Sequence, residues 1–122
     1  MIITARHLDP EPRWSDPLIG IQFQDFVAVR SRMQQNVEAG SGNELVLLSM
    51  NLCDMSRQIV FRLFRISEDE VEALVAEFEE AARVVREAAR LVTPESQKMT
   101  IDYADHIQAR ARRLGGFLQQ AG

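Results

Sequence analysis

With 122 residues, 46% of them hydrophobic, the chain is long enough for one domain with a real core and too short for two. A net charge of −4 and a pI near 5.2 exclude the net basic face that nucleic-acid binding wants, and a single cysteine, Cys53, excludes an internal disulfide. No run approaches the ~18 uninterrupted apolar residues of a membrane span, and no basic-then-apolar leader precedes the polar Asp9-Pro10-Glu11-Pro12-Arg13 segment, so a cytoplasmic protein is expected.

Residues 1–14 hold Pro10 and Pro12 and read as a short strand or an irregular arm, with Trp14 docking it on a single helical domain over 15–122. Ser15-Asp16-Pro17 places a cap before a first-turn proline. Ile19, Phe23, Phe26, Met33 and Val37 continue as an apolar stripe, which predicts a helix over 16–39. Gly40-Ser41-Gly42 is a turn signal, and a second helix predicted over 43–65 folds back antiparallel on the first. Ser67-Glu68-Asp69-Glu70 is a capping box, after which Val71, Val75, Phe78, Ala82, Val85, Ala89 and Val92 recur at spacings of four and three, predicting a helix over 68–92. Thr93-Pro94-Glu95 opens a last helix over 94–114, with Met99, Tyr103, Ile107, Ala111 and Leu114 as its stripe before Gly115-Gly116. Four helices joined by short turns define an all-α chain, an antiparallel four-helix bundle. The third helix is strongly acidic and the fourth carries Lys98, Arg110, Arg112 and Arg113, so the two can pair across weak, solvated ion pairs that need no functional reading.

The second helix carries the chemistry. Asp54 and Gln58 stand four residues apart, and at 3.6 residues per turn they project about 40° from one another on one face. Asn51, Arg62 and Arg65 extend that polar stripe, while Leu45, Leu52, Ile59 and Leu63 mark the opposite face as core. Leu47, Met50 and Phe61 lie beside the polar groups rather than behind them. Apolar residues flanking a carboxylate and an amide imply a surface that meets another protein. The largely apolar character of this helix also leaves a homodimer open.

Asp54-Met55-Ser56-Arg57-Gln58-Ile59-Val60 resembles the Asp-x-x-x-Gln motif, followed by two branched apolar residues, of the CheZ family of chemotaxis phosphatases. The likeness covers roughly the second helix, and in length the chain is similar to the family's short CheT-type members. Full-length CheZ adds a long linker and a C-terminal tethering helix. The resemblance implies a helix-bundle surface that hydrolyses the aspartyl phosphate of the receiver CheY. It gives Gln58 the task of orienting the attacking water beside the phosphoryl group, and Asp54 that of binding the receiver's active-site lysine. Asn51, Phe61, Arg62, Arg65, Leu47 and Met50 would then contact the partner. No cofactor of the chain's own is implied, because the receiver carries the Mg²⁺. An amide suits the work, since it can accept from and donate to one water at once. The alternative is a non-enzymatic adaptor that binds a receiver or another chemotaxis protein through the same surface.

Other constellations fall short. A histidine phosphotransfer domain has Lys and Gly three and four residues after its histidine, whereas His106 is followed there by Ala109 and Arg110. His7 lacks any partner at metal-ligand spacing and His106 forms a single i,i+4 pair with Asp102 on its own, so no metal site is expected. Cys53, on the apolar side near Val46, Val60 and Phe64, reads as a buried inert thiol.

Overall fold

The computed structural model describes residues 11–121, with side chains described to residue 118. Residues 1–10 of the expected arm, including His7 and Pro10, lie outside the described residues. Helix α1 (Pro17–Glu38) starts where the Asp16 carboxylate accepts the Leu18 N–H at 3.0 Å, with Pro17 in the first turn, where its missing donor costs nothing. It stops at Gly40, whose φ of 71° lets Gly40 N–H reach Val37 O at 3.0 Å and Ser41 N–H reach Asn36 O at 2.9 Å. Helix α2 (Leu45–Arg62) follows Glu44, and helix α3 (Glu68–Ala88) opens on a complete capping box between Ser67 and Glu70. Helix α4 (Pro94–Ala121) ends the described chain.

Consecutive helices run antiparallel. Arg32 binds Glu44 at 2.8 Å at one end of the α1–α2 hairpin, and Arg62 binds Asp16 at 3.0 Å at the other. The two hairpins pack so that α1 touches α3 and α2 touches α4, whereas α2 and α3 meet only sparsely. The Arg30–Glu77 and Ser15–Glu70 contacts follow the same order along both segments, so α1 and α3 are parallel neighbours. The short segment 63–67 therefore crosses the end of the bundle. Between the helices lies one core. Phe26 and Phe78 are fully buried with ring centroids 5.2 Å apart, and Met33, Leu45, Leu52, Ile59, Leu74 and Ile107 surround them. Each such side chain stabilises the fold by about 1.5–3 kcal/mol relative to exposure. Trp14 docks as expected, 5.0 Å from the Phe23 ring. It lies so close to α1 that a Cβ at Gly20 would stand 2.7 Å from the indole, so a larger residue there would have to displace the Trp14 ring.

Three helix ends differ from the sequence pattern. Helix α2 ends at Arg62 rather than 65, because Leu63 turns to an extended conformation with ψ of 127° to reach the Ser67 cap. Leu63 is thus half-buried beyond the helix, and Phe64, expected near Cys53, is 88% exposed. Helix α3 ends at Ala88, closed by Arg90 and Leu91 N–H groups donating to Glu87 and Ala88 carbonyls, so Val92 lies outside it. Helix α4 runs straight through Gly115-Gly116. The cost of about 1 kcal/mol per helical glycine is offset by the packing of Leu114 and Leu118 against the core. Within α4, Met99 is exposed and the inward positions nearby are Thr100 and Ala104.

Glu70 joins the cap to the first hairpin. Its carboxylate accepts Ser15 N–H at 2.8 Å, Ser15 Oγ–H at 2.6 Å and Ser67 N–H at 2.9 Å. Burial pushes its pKa up, but the hydrogen bonds from Ser15 and Ser67 together outweigh burial and hold it below the ordinary value of 4.5. A carboxylate depressed in the folded state contributes stability above its unfolded value, lost as pH falls through the lower folded one. Acid titration followed by circular dichroism should accordingly show a destabilisation below pH 4.5 that is smaller in Glu70→Gln. Equal acid sensitivity in the two proteins would show that this carboxylate contributes nothing.

Candidate functional site on the outer face of α2

The buried side of α2 mixes large apolar residues with small ones. Leu45, Leu48, Leu52 and Ile59 are buried, and with them Ser49, Cys53 and Ser56. Ser49 Oγ–H donates to Leu45 O and Ser56 Oγ–H to Cys53 O, both at 2.7 Å, so these hydroxyls are satisfied within the helix. Asp54 and Gln58 are both exposed, on the side turned away from that core. Leu47, Asp54 and Phe61 recur every seven residues and form one ridge, with Asn51 and Gln58 on one flank and Met50 and Arg57 on the other.

The apolar part of the ridge is open to solvent: Leu47 is 52% exposed, Met50 38% and Phe61 80%. The Arg57 guanidinium stands 4.0 Å from the Asp54 carboxylate, with both side chains more than half exposed. Such a contact is too long for a hydrogen bond and too exposed to hold Asp54 strongly. Asp54 therefore remains available as an acceptor, and the Gln58 amide as both donor and acceptor. Asn51 is half-buried at the edge of the same face.

The two outer arginines of the expected stripe behave differently from each other and from expectation. Arg62 is on the stripe, but its Nε donates to Asp16 Oδ2 at 3.0 Å, so it ties α2 to the start of α1. Arg65 leaves the stripe, because α2 has already ended; its guanidinium lies 5.6 Å from the centre of the Phe64 ring. Arg65 and Phe64 instead border an open cavity of about 560 Å³ at the end of the bundle, together with Leu63, Ile66, Val71, Leu114 and Phe117.

Behind the site, Arg110 of α4 reaches α2. Its Nη1 donates to Cys53 O at 3.0 Å and to Ser56 Oγ at 2.9 Å, and stands 3.5 Å from Cys53 Sγ. Residue type alone places Arg110 among the solvated charges of the last helix. The available signal is its seven-residue spacing from Tyr103, which sets both at the seam beside Ile107 and Ala111. His106 is exposed one turn earlier. Cys53 is buried, as its position on the apolar side implies. Among the described residues no group of three or more His, Cys, Asp or Glu side chains could hold a metal ion, and no helix is long and apolar enough to cross a membrane.

This arrangement defines a helical bundle whose displayed polar pair sits in an apolar collar. No protein-family model matches the chain, no curated protein matches it, and no solved structure does.

Proposed function

We propose that the chain engages a phosphorylated receiver domain through the outer face of α2 and accelerates hydrolysis of its aspartyl phosphate, as the likeness of Asp54-x-x-x-Gln58 to the CheZ motif implies. The observation that carries this reading is the joint exposure of Asp54 and Gln58 within the collar of Leu47, Met50 and Phe61. A buried amide could not reach another protein's phosphoryl group; an exposed one flanked by apolar anchors can. In the reaction, the Gln58 amide holds a water in line with phosphorus. The water oxygen attacks, the acyl phosphate P–O bond breaks with its electron pair returning to the receiver's aspartate as a carboxylate, and inorganic phosphate leaves carrying the water's oxygen and its two protons. The receiver supplies the Mg²⁺ and the phosphorylated carboxylate, so positioning is the main contribution asked of this chain. Asp54 takes the receiver's active-site lysine in exchange for its weak contact with Arg57.

The exposed ridge Leu47, Met50 and Phe61 would also suffice for docking without chemistry, and on that observation the second reading is an adaptor for a receiver or another chemotaxis protein. Phosphorylated chemotaxis receivers, mixed with the protein while phosphate release and complex formation are followed in parallel, separate the two. Phe61→Ala should weaken association about tenfold, as expected for an aromatic anchor. Asp54→Ala should weaken association and release together, because it removes a charged contact along with part of the positioning. Binding through α2 with no release favours the adaptor. No binding and no release by any receiver would reduce the Asp-x-x-x-Gln spacing to coincidence.

A further inference from the structure

We infer that Arg110 is a positioning residue for the Asp54–Gln58 pair, an inference that rests on the reading of α2 just given. Where Arg110 meets it, the turn that carries the pair presents the small side chains Cys53 and Ser56, between the buried Leu52 and Ile59, and these two give little bulk to fix how that part of the turn sits against α4. Arg110 supplies what they lack. One nitrogen, Nη1, donates to Cys53 O at 3.0 Å and to Ser56 Oγ at 2.9 Å, and Ser56 Oγ–H donates in turn to Cys53 O at 2.7 Å. The three groups form a closed ring of hydrogen bonds, two of which run from α4 to α2 across 57 and 54 residues of sequence.

The position of that ring along α2 matters. Cys53 immediately precedes Asp54, and the Cys53 carbonyl belongs to the turn that ends at Arg57, the residue before Gln58. The direction of the Asp54 and Gln58 Cα–Cβ bonds is set by this turn. A charge-assisted bond from a partly buried guanidinium is among the stronger restraints available to a helix. Arg110 touches neither Asp54 nor Gln58; its effect on them passes through the α2 backbone. Positioning of a water relative to a phosphoryl group is sensitive to displacements well under a helical rise.

The test is steady-state phosphate release from a chemotaxis receiver kept phosphorylated by a small-molecule phosphodonor, with complex formation measured in parallel. For Arg110→Ala, kcat should fall about tenfold while the receiver concentration at half-maximal rate stays within about twofold, because the docking ridge of Leu47, Met50 and Phe61 is untouched. Arg110→Lys, which keeps a charged donor on a shorter arm, should recover part of the loss. Amide hydrogen exchange of the free protein should show faster exchange confined to 53–58 in Arg110→Ala, with α1 and α3 unchanged. Unchanged kcat in Arg110→Ala alongside wild-type release would overturn the inference and leave the proposed function standing. So would a uniform rise in exchange across all four helices, which marks general destabilisation. Absence of release from the wild type would overturn the proposed function, and this inference with it.

Discussion

Phe78→Ala should lower the free energy of unfolding by about 3–5 kcal/mol in denaturant titration, the range expected for truncating a buried phenylalanine. Phe78 is 0% exposed and its ring lies 5.2 Å from that of Phe26, which is equally buried. Removal takes away the transferred area, the tilted ring contact and the filling of a space that Leu74, Ala81 and Ala82 of the same helix cannot close by themselves. A chain of this size has about 5–15 kcal/mol to lose, so the variant gives up a large share of its stability. A loss below about 1 kcal/mol would mean that this face of α3 does not form the centre of the core.

The Arg30–Glu77 pair should give the second large effect. Arg30 Nε and Nη2 grip the two carboxylate oxygens of Glu77 at 2.6 and 3.1 Å, and Nη1 donates to Gln34 Oε1 at 2.9 Å. The side chains are 17% and 11% exposed, so either one left alone would be a largely desolvated charge. The bond to Glu77 outweighs burial and raises the Arg30 pKa, consistent with a pair whose ionised form is favoured in the fold. Arg30→Ala and Glu77→Ala should each cost about 2–4 kcal/mol, whereas exchanging both for apolar residues of similar volume should cost far less than the two losses combined. Thermal unfolding of the two single variants and the double variant makes the comparison. Additive losses would show that the two side chains act independently.

Much of the fold was legible because its signals are local and agree with one another. Asp16-Pro17, Gly40 and the Ser67–Glu70 box each mark a helix end by chemistry that acts within a single turn, and the stripes through Phe26, Leu52, Phe78 and Ile107 name the inward faces. Of the three misread ends, α3 stops four residues early in a local turn closed on the Glu87 and Ala88 carbonyls, and the other two are decided at long range. Nothing in Leu63-Phe64-Arg65-Ile66 forbids a helix; α2 stops there because the chain has to cross the bundle end and meet the Ser67 cap. Gly115-Gly116 is a stop signal by composition, overridden by core contacts on either side.

The candidate site divides in the same way. The outward direction of Asp54 and Gln58 follows from periodicity alone, as does the exposure of Leu47, Met50 and Phe61 beside them. The fates of the arginines do not. A long flexible cation on a helix seam can reach solvent, a neighbouring acid or a backbone carbonyl, and only the packing of other helices decides among them. Arg62 found Asp16, Arg65 lay over Phe64, and Arg110 turned inward to Cys53 and Ser56.

The most direct measurement is single-turnover loss of the phosphoryl group from a phosphorylated chemotaxis receiver bound by wild-type protein or by Gln58→Ala. The wild type should accelerate release well above the receiver's own rate, and Gln58→Ala should form the complex yet return release to that rate, because the amide's task is to orient water. Equal acceleration by both proteins would contradict the proposed role of Gln58.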